Sequence, residues 1–293
     1  MIRISVALCT YNGSTFIHEQ INSILTQTTP VNEIIVCDDG STDDTIAILN
    51  QYSIENPGLF KIVQNEINLK SVKNFEKAIS LCTGDLIFLA DQDDFWKANK
   101  VEKTLSFFES NTDLDAVFSN ANFIDENSKI LGNNLWNSIY FKSDFVGYDE
   151  LFKYIVLKRN VVTGATFCIK KQVKEYVLPF PEIPQFHHDH WIAFLVSQKN
   201  KLGFIIEELI SYRLHDKQQV GASLKESKFK KFKSEVVENY IIENKQNFFF
   251  KSKISKTLKN NLELYKSLQQ VSATNKMEIS AAINLLQQKI SNL

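Results

Sequence analysis

Asp91-Gln92-Asp93-Asp94 sets three carboxylates within four positions, directly behind the apolar run Leu86 to Ala90. Carboxylates a few ångströms apart repel one another unless they are protonated or share a cation. A hard divalent ion, Mg2+ or Mn2+, takes oxygen ligands and bridges readily to the phosphates of a substrate. An isolated D-x-D also has a plainer reading, acids at a helix start where the helix dipole favours them. Asp38 and Asp39 make a second acidic pair behind an apolar run, and ahead of Gly40 they read equally as turn residues.

His187-His188-Asp189-His190-Trp191 is the other chemistry-bearing cluster. Three histidines around one acid invite zinc. Consecutive side chains do not share a helix face, however, and the H-E-x-x-H spacing is absent. Lys73, Arg213, His215 and Lys217 are single basic residues whose plain reading is a solvated or core position. Gly164, beside Thr163, suits either a close backbone approach to a ligand or a bend in a strand.

The elements around these residues alternate. "ISVALCTYN" is apolar on consecutive positions, as for a strand covered on both faces of a parallel sheet. Phe16, Ile17, Ile21, Ile24 and Leu25 then recur at helical spacing up to Pro30. Ile34 to Cys37 predicts a second strand, and Ser41 with Asp44 a capping box ahead of the second helix. "FKIVQN" predicts a third strand, Ser71 to Cys82 a third helix, and "DLIFLAD" a fourth strand. Alternation over about 95 residues is the mark of a doubly wound α/β sheet, whose ligands sit beyond the carboxyl ends of the strands. Thr10, Tyr11 and Asn12, Asp38 and Asp39, and Asp91, Asp93 and Asp94 follow three such ends and should converge on one crevice. Beyond Lys97, "LDAVFSNANFID" and "VVTGATFCIKK" read as strands and "HHDHWIAFLVSQ" as the opening of a helix.

The 293 residues carry 33 basic and 34 acidic side chains for a net charge of −1, so no global field favours nucleic acid. The four cysteines form no C-x-x-C pair and read as buried thiols in a reducing, cytoplasmic setting. The apolar stretch at the start is too short for a signal-peptide core, and no run reaches the roughly 18 apolar residues of a membrane span.

In this setting the chain resembles the family 2 glycosyltransferases of the GT-A fold. The resemblance rests on "ISVALCTYNG", "EIIVCDDGSTDDT", "GDLIFLADQDDFW", "TGATFCIKK", "HHDHWIA" and "YRLHDKQQVGA", in that family's order and spacing. The last three look most like the bacterial rhamnosyltransferase-like subgroup of surface polysaccharide assembly. The fold implied is α/β, a Rossmann-like mixed sheet flanked by helices, with a GT-A catalytic domain over 1–222 and a helical C-terminal extension over 223–293.

The resemblance also implies roles. Thr10, Tyr11, Asn12, Asp38 and Asp39 would hold the nucleotide, with Lys73, Gln92 and Gly164 beside the donor. Asp93 would contact a Mg2+ or Mn2+ ion, Asp91 would lie beside ribose and ion with Asp94 in support, and His215 would meet the metal or diphosphate. Arg213 and Lys217 are further phosphate candidates. Asp189 would be the catalytic base, with His188, His190 and Trp191 toward the acceptor, although His190 stands where relatives carry an aromatic.

The activity implied is inverting transfer of one sugar from a nucleotide-diphosphate sugar to a hydroxyl of a glycan or polyprenyl-diphosphate-linked acceptor. Processive synthases would add Q-x-x-R-W and membrane spans, and neither is present. A nucleotidyltransferase would need a Gly-rich basic loop where this chain has "TYNGSTF". A catalytically silent sugar-nucleotide binder or assembly protein is the alternative of another class. From roughly Lys225 the chain lacks proline and glycine and reads as helical. "KFKKFKSEVVENYIIENKQNFFFKSK" suits a helix on an anionic membrane surface, or a helical pair packed on the catalytic domain or on a dimer partner.

Overall fold

The computed structural model describes residues 2–183, 186–216 and 251–293. Lys217, the end of "YRLHDKQQVGA" and most of the basic aromatic stretch lie outside the described residues.

Three parallel pairings build the first half. β1 (Ile4–Thr10) lies between β2 (Glu33–Asp38) and β4 (Leu86–Ala90), and β3 (Phe60–Gln64) continues outward from β2. All seven residues of β1 and all five of β4 are buried, which explains their unbroken apolar runs. Ser5 is the polar exception inside β1, before Thr10 at its carboxyl end. It is satisfied by a short hydrogen bond to Glu33 and by the amide of Gly84 at 2.7 Å.

The crossovers are helical: α1 (Ile17–Leu25), α2 (Thr45–Glu55) and α3 (Lys70–Leu81). α3 turns Asn74, Phe75, Ala78 and Ile79 inward against β1 and β2. The capping box anticipated at Ser41 and Asp44 does not form. The Ser41 hydroxyl donates to Asp38 at 2.5 Å, and Asp43 accepts from the amide of Thr45 at 3.1 Å. A turn acid nearer the helix start has taken the capping role.

The sheet runs β3-β2-β1-β4-β8-β6-β9-β5, with β7 (Ile130–Asn134) against β6 (Ala116–Ile124). Strand order reverses between β1 and β4, the switch point at which such sheets open a crevice. β8 (Phe167–Lys170) is antiparallel to β4, with Phe88 opposite Cys168, so the residues before it arrive next to Asp91. Only that part of "VVTGATFCIKK" is strand, because Gly164–Thr166 forms a 3-10 turn.

β9 (Leu202–Arg213) and β5 (Phe95–Trp96) were not foreseen, since β9 carries charges midway and β5 is two residues long. They pair antiparallel, with Phe95 opposite Ser211, which carries the chain after Arg213 over the Asp93 loop.

α4 (Lys100–Ser110), α5 (Leu135–Ile139), α6 (Leu151–Leu157), α7 (Lys174–Val177) and α8 (His188–Gln198) complete the layers. Two helices follow the undescribed stretch: α9 (Lys251–Val271) and α10 (Lys276–Ser291). They pack on each other and on α6 through buried Ile254, Leu258, Tyr265, Leu268, Ile279 and Leu286. The described part of the tail is thus a helical pair seated on the α/β body. Among the described residues no helix is long and apolar enough to cross a membrane.

Candidate active site

Beyond the carboxyl ends of β1, β2 and β4 lies a cavity of about 470 Å3. β1 and β2 deliver Thr10 and Asp38 side by side, and Tyr11, Asn12, Gly13 and Asp39 follow onto the cavity wall. The Asp39 carboxylate accepts from Asn65 Nδ2 at 2.9 Å and from the amides of Leu69 and Lys70 at 2.7 and 2.8 Å. It therefore pins the entry to α3, where Lys70 takes a left-handed φ of 64° that non-glycine residues seldom adopt. Asn12, also left-handed at φ 50°, accepts from the Thr42 amide at 2.8 Å and joins the β1 and β2 loops.

Gln92 joins the third strand end to the first. Its Oε1 accepts from the Tyr11 amide at 2.8 Å and its Nε2 donates to the Tyr11 carbonyl at 3.1 Å. A Cβ on Gly13 would lie 2.2 Å from that Oε1, so residue 13 must lack a side chain for this staple to close.

Asp91, Asp93 and His215 line the same cavity. His215 Nε2 is 3.0 Å from Asp93 Oδ2, and the Phe16 ring packs 4.8 Å from the imidazole. Burial, then the nearby charges of Asp93 and Asp189, push the Asp91 carboxyl up to about 7. The described lining carries four carboxylates, Asp39, Asp91, Asp93 and Asp189, and no lysine or arginine. The three-ligand metal set expected from Asp91, Asp93 and His215 is nonetheless not formed. Among the described residues no three His, Cys, Asp or Glu side chains close around an ion. The protein presents an Asp93–His215 pair with Asp91 alongside. That donor set fits a hard ion completing its shell with phosphate oxygens.

Asp189 sits in the first turn of α8. Its Oδ1 accepts from the His190 amide at 2.6 Å and from Asn160 Nδ2 at 3.3 Å, and its Oδ2 from the Gly164 amide at 3.1 Å. Burial, which strips water from the charged form, raises its carboxyl to about 6 against the opposing pull of His187 and these amides. It is thus ionised at neutral pH yet basic enough to take a proton. His188 stacks on Phe75 at 4.0 Å, and burial holds it neutral, near 3. A Cβ on Gly164 would meet its Nε2 at 2.7 Å, so the glycine lets the turn approach both His188 and Asp189. Lys100 supports that turn from below. It is buried and donates to the Ala165 carbonyl at 2.8 Å, and desolvation lowers its ammonium to about 7.

Several expected contacts are corrected. Asp38 is fully buried and accepts from Thr10 Oγ1, Ser41 Oγ and the amides of Gly40 and Ser41, so it braces the loops and does not line the cavity. Lys73 turns away to Glu76 at 2.9 Å and the Phe180 carbonyl at 3.0 Å. Trp191 is 1% exposed and donates to the Val177 carbonyl at 2.7 Å. His190 stacks on Phe186 at 3.9 Å and lies against Tyr265 of α9. Of the three residues expected at the acceptor, only His188 lines the cavity. Arg213 is buried beneath the site, where it donates to the Asp93 and Asp125 carbonyls and to Glu19. Asp94 Oδ1 accepts from the Arg213 amide at 3.0 Å.

Reading residues one at a time missed several lining groups: Ser71, Asn74 and Phe75 of α3, Phe16, Tyr212 and His187. Phe16 and Phe75 sit at helical spacings that read as core; Phe75 is a core residue that also lines the cavity, whereas Phe16 is only half-buried. Asn160 carried no signal, because a lone Asn between two apolar runs looks like any turn.

Residues 5–173 match the family model described as glycosyl transferase family 2. An uncharacterized glycosyltransferase of Methanocaldococcus jannaschii is 28% identical over 227 residues, 77% of this chain and 75% of its own. The dTDP-rhamnosyl transferase RfbG of Shigella flexneri is 26% identical over 74% of each chain. The UDP-Glc:alpha-D-GlcNAc-diphosphoundecaprenol beta-1,3-glucosyltransferase WfgD of Escherichia coli is 26% identical over 78% of this chain and 82% of its own. Other curated relatives extend further, the match taking 66% and 65% of two of them. In structure, S. aureus TarS in complex with UDP-GlcNAc superposes with a TM-score of 0.60 at 15% identity, over 99% of this chain and 89% of that one. At that identity the likeness speaks for the fold alone.

Proposed function

The chain belongs to glycosyl transferase family 2 and is a glycosyltransferase of GT-A fold; from that premise we propose that it moves one sugar, with inversion, from a nucleotide-diphosphate sugar to an acceptor hydroxyl. The observation that carries this reading is that Asp93, from the first half of the chain, lines one cavity with Asp189 and His215, from the second.

Asp39, Tyr11 and Asn12 bind the nucleoside, the Tyr11 ring offering a face and the backbone around Asp39 its polar edge. The diphosphate lies toward Asp93 and His215, which would hold a Mg2+ or Mn2+ ion, with Asp91 beside it. Such an ion, when bound, neutralises charge on the departing diphosphate. Asp189 takes the proton from the acceptor hydroxyl as its oxygen attacks the anomeric carbon from the face opposite the diphosphate. The C–O bond to the diphosphate breaks as the new one forms, and no covalent enzyme intermediate is needed.

The names of the relatives point to a dTDP- or UDP-linked donor and a diphosphoundecaprenol-linked acceptor, which suits a place in polysaccharide biosynthesis. Such an acceptor would bring the enzyme to the cytoplasmic face of the membrane.

The test is a panel of UDP-, dTDP- and GDP-sugars with Mn2+ and a lipid-diphosphate-linked sugar, followed by release of nucleoside diphosphate. Release by the native protein and its loss in Asp189→Asn support the reading. Binding of a nucleotide sugar with no turnover on any acceptor would instead identify a silent binder.

A further inference from the structure

Among the described residues three donors from other positions reach the Asp189 carboxylate, and two of them are the backbone amides of His190 and Gly164. The third is a side chain, Asn160 Nδ2, 3.3 Å from Oδ1. Asn160 is itself fixed. The same Nδ2 donates to the Val162 carbonyl at 2.8 Å, and its Oδ1 accepts from the Val162 amide at 3.1 Å. The amide cannot rotate without losing both bonds, so its N–H edge stays toward Asp189. A group that only donates favours the ionised form of its partner.

The segment carrying Asn160 is gripped from behind. It leaves α6 at Leu157, and the last carbonyls there have no partner within the helix. Asn261 of α9 supplies one, its Nδ2 donating to the Val156 carbonyl at 2.9 Å and reaching the Lys158 carbonyl at 3.4 Å. The same helix reaches the base-bearing helix on its other side, where Tyr265 packs 5.8 Å from Phe186 and 5.1 Å from Phe194. α9 lies beyond residues 5–173, the span matched by the family model.

We propose that Asn160 is a positioning residue for Asp189, and that α9 sets it through Asn261, which makes the C-terminal hairpin part of the mounting of the base. The inference rests on the reading of Asp189 as that base. The titratable groups around the carboxylate are His187 just before α8, His188 and His190 of α8, and Asp91 across the cavity, while Lys158 and Arg159 neighbour Asn160 in sequence. None of them is altered in the variants below.

The test is a 13C NMR titration of the Asp189 side-chain carboxyl in the full chain labelled at aspartate, with Asp189→Asn to assign the signal. Asn160→Ala should raise the midpoint by about half a pH unit, a modest shift suited to one long hydrogen bond. Asn160→Asp, of the same shape, should raise it further by adding a like charge. Asn261→Ala should move it the same way and add nothing in the Asn160→Ala background, since the two act in series. A general loss of stability would lower the melting point without moving this midpoint.

An unchanged midpoint in both Asn160 variants overturns the proposal, and if Asn160→Ala does not fold, Asn160→Asp alone decides. An unchanged midpoint in Asn261→Ala overturns the part assigned to α9. Full activity in Asp189→Asn would remove the base reading itself, whereas an inactive Asp189→Asn with unmoved midpoints would remove only this inference.

Discussion

His215 Nε2 lies 3.0 Å from Asp93 Oδ2, although 122 positions separate the two residues. The antiparallel pairing of β9 with β5 makes the meeting, and buried Arg213 secures it by binding the Asp93 carbonyl through Nε and the Asp94 carboxylate through its amide. With Phe16 against the imidazole, the pair has little freedom to part.

If this pair holds the ion, His215→Ala and Asp93→Asn should each reduce the rise in melting point that UDP and Mn2+ produce together. They should leave the melting point without ligand nearly unchanged. The measurement is a thermal-shift titration, in which stabilisation follows the ligand's affinity for the folded form. Arg213→Lys, by contrast, should lower the unliganded melting point as well, because a buried fork of donors is lost.

Activity should depend on pH through Asp189. The base must be ionised, so kcat/KM should rise about tenfold per unit below about 6 and level off above it. Stability runs the other way for this group. Its carboxyl is raised from 3.8 to about 6 on folding, so the folded state holds the proton more tightly. The group thus favours folding at low pH, loses that effect as pH rises between those values, and is unfavourable above them. A rate profile at saturating metal, beside urea melts at the same pH values, checks both signs.

Gly164→Ala should be disproportionately harmful for one methyl group. Its Cβ would sit 2.7 Å from His188 Nε2, pressing the ring against Phe75 and drawing the Gly164 amide from Asp189. We expect a loss of about 100-fold in kcat, the scale of a misplaced reacting group. Donor affinity, read by calorimetry with a UDP-sugar, should change much less.

Asp39→Ala should weaken nucleotide binding through the loop as well as by direct contact. Three donors, Asn65 Nδ2 and the amides of Leu69 and Lys70, would lose their acceptor, and Lys70 would be free to leave its left-handed conformation. A fall of at least about tenfold in UDP affinity is expected, equivalent to about 1.4 kcal/mol.

Trp191→Phe should reduce stability by about 1–3 kcal/mol, the scale for a buried carbonyl left unsatisfied, here that of Val177. The KM for acceptor should not change, since the indole does not reach the cavity. A raised acceptor KM with unchanged stability would return Trp191 to the acceptor site.

Much of this protein was legible in its order of residues. A fully buried parallel strand has to be apolar at consecutive positions, and a crossover helix has to repeat its apolar face every three or four residues. β1 through β4 and the helices between them were therefore apparent, and with them the edge where Thr10, Asp39 and Asp91 emerge. The match in register of six short motifs supplied the family, because six in the same order and spacing are far more specific than any one of them. Side-chain direction was not legible. Asp38 and Asp39 are neighbours of one type, yet strand alternation sends one inward to four donors and the other to the cavity wall.

By itself, then, the sequence determined the fold class and the few acids able to do the chemistry, through local periodicity and local composition, and the family through its resemblance in six motifs. Only the tertiary structure decided which groups meet: His215 over Asp93, Asn160 against Asp189, and Asn261 behind them, with Lys73, His190 and Trp191 turned elsewhere. The physical reason is that these meetings depend on strand register and helix packing between segments up to 122 residues apart, and neither is written in any single stretch of the chain.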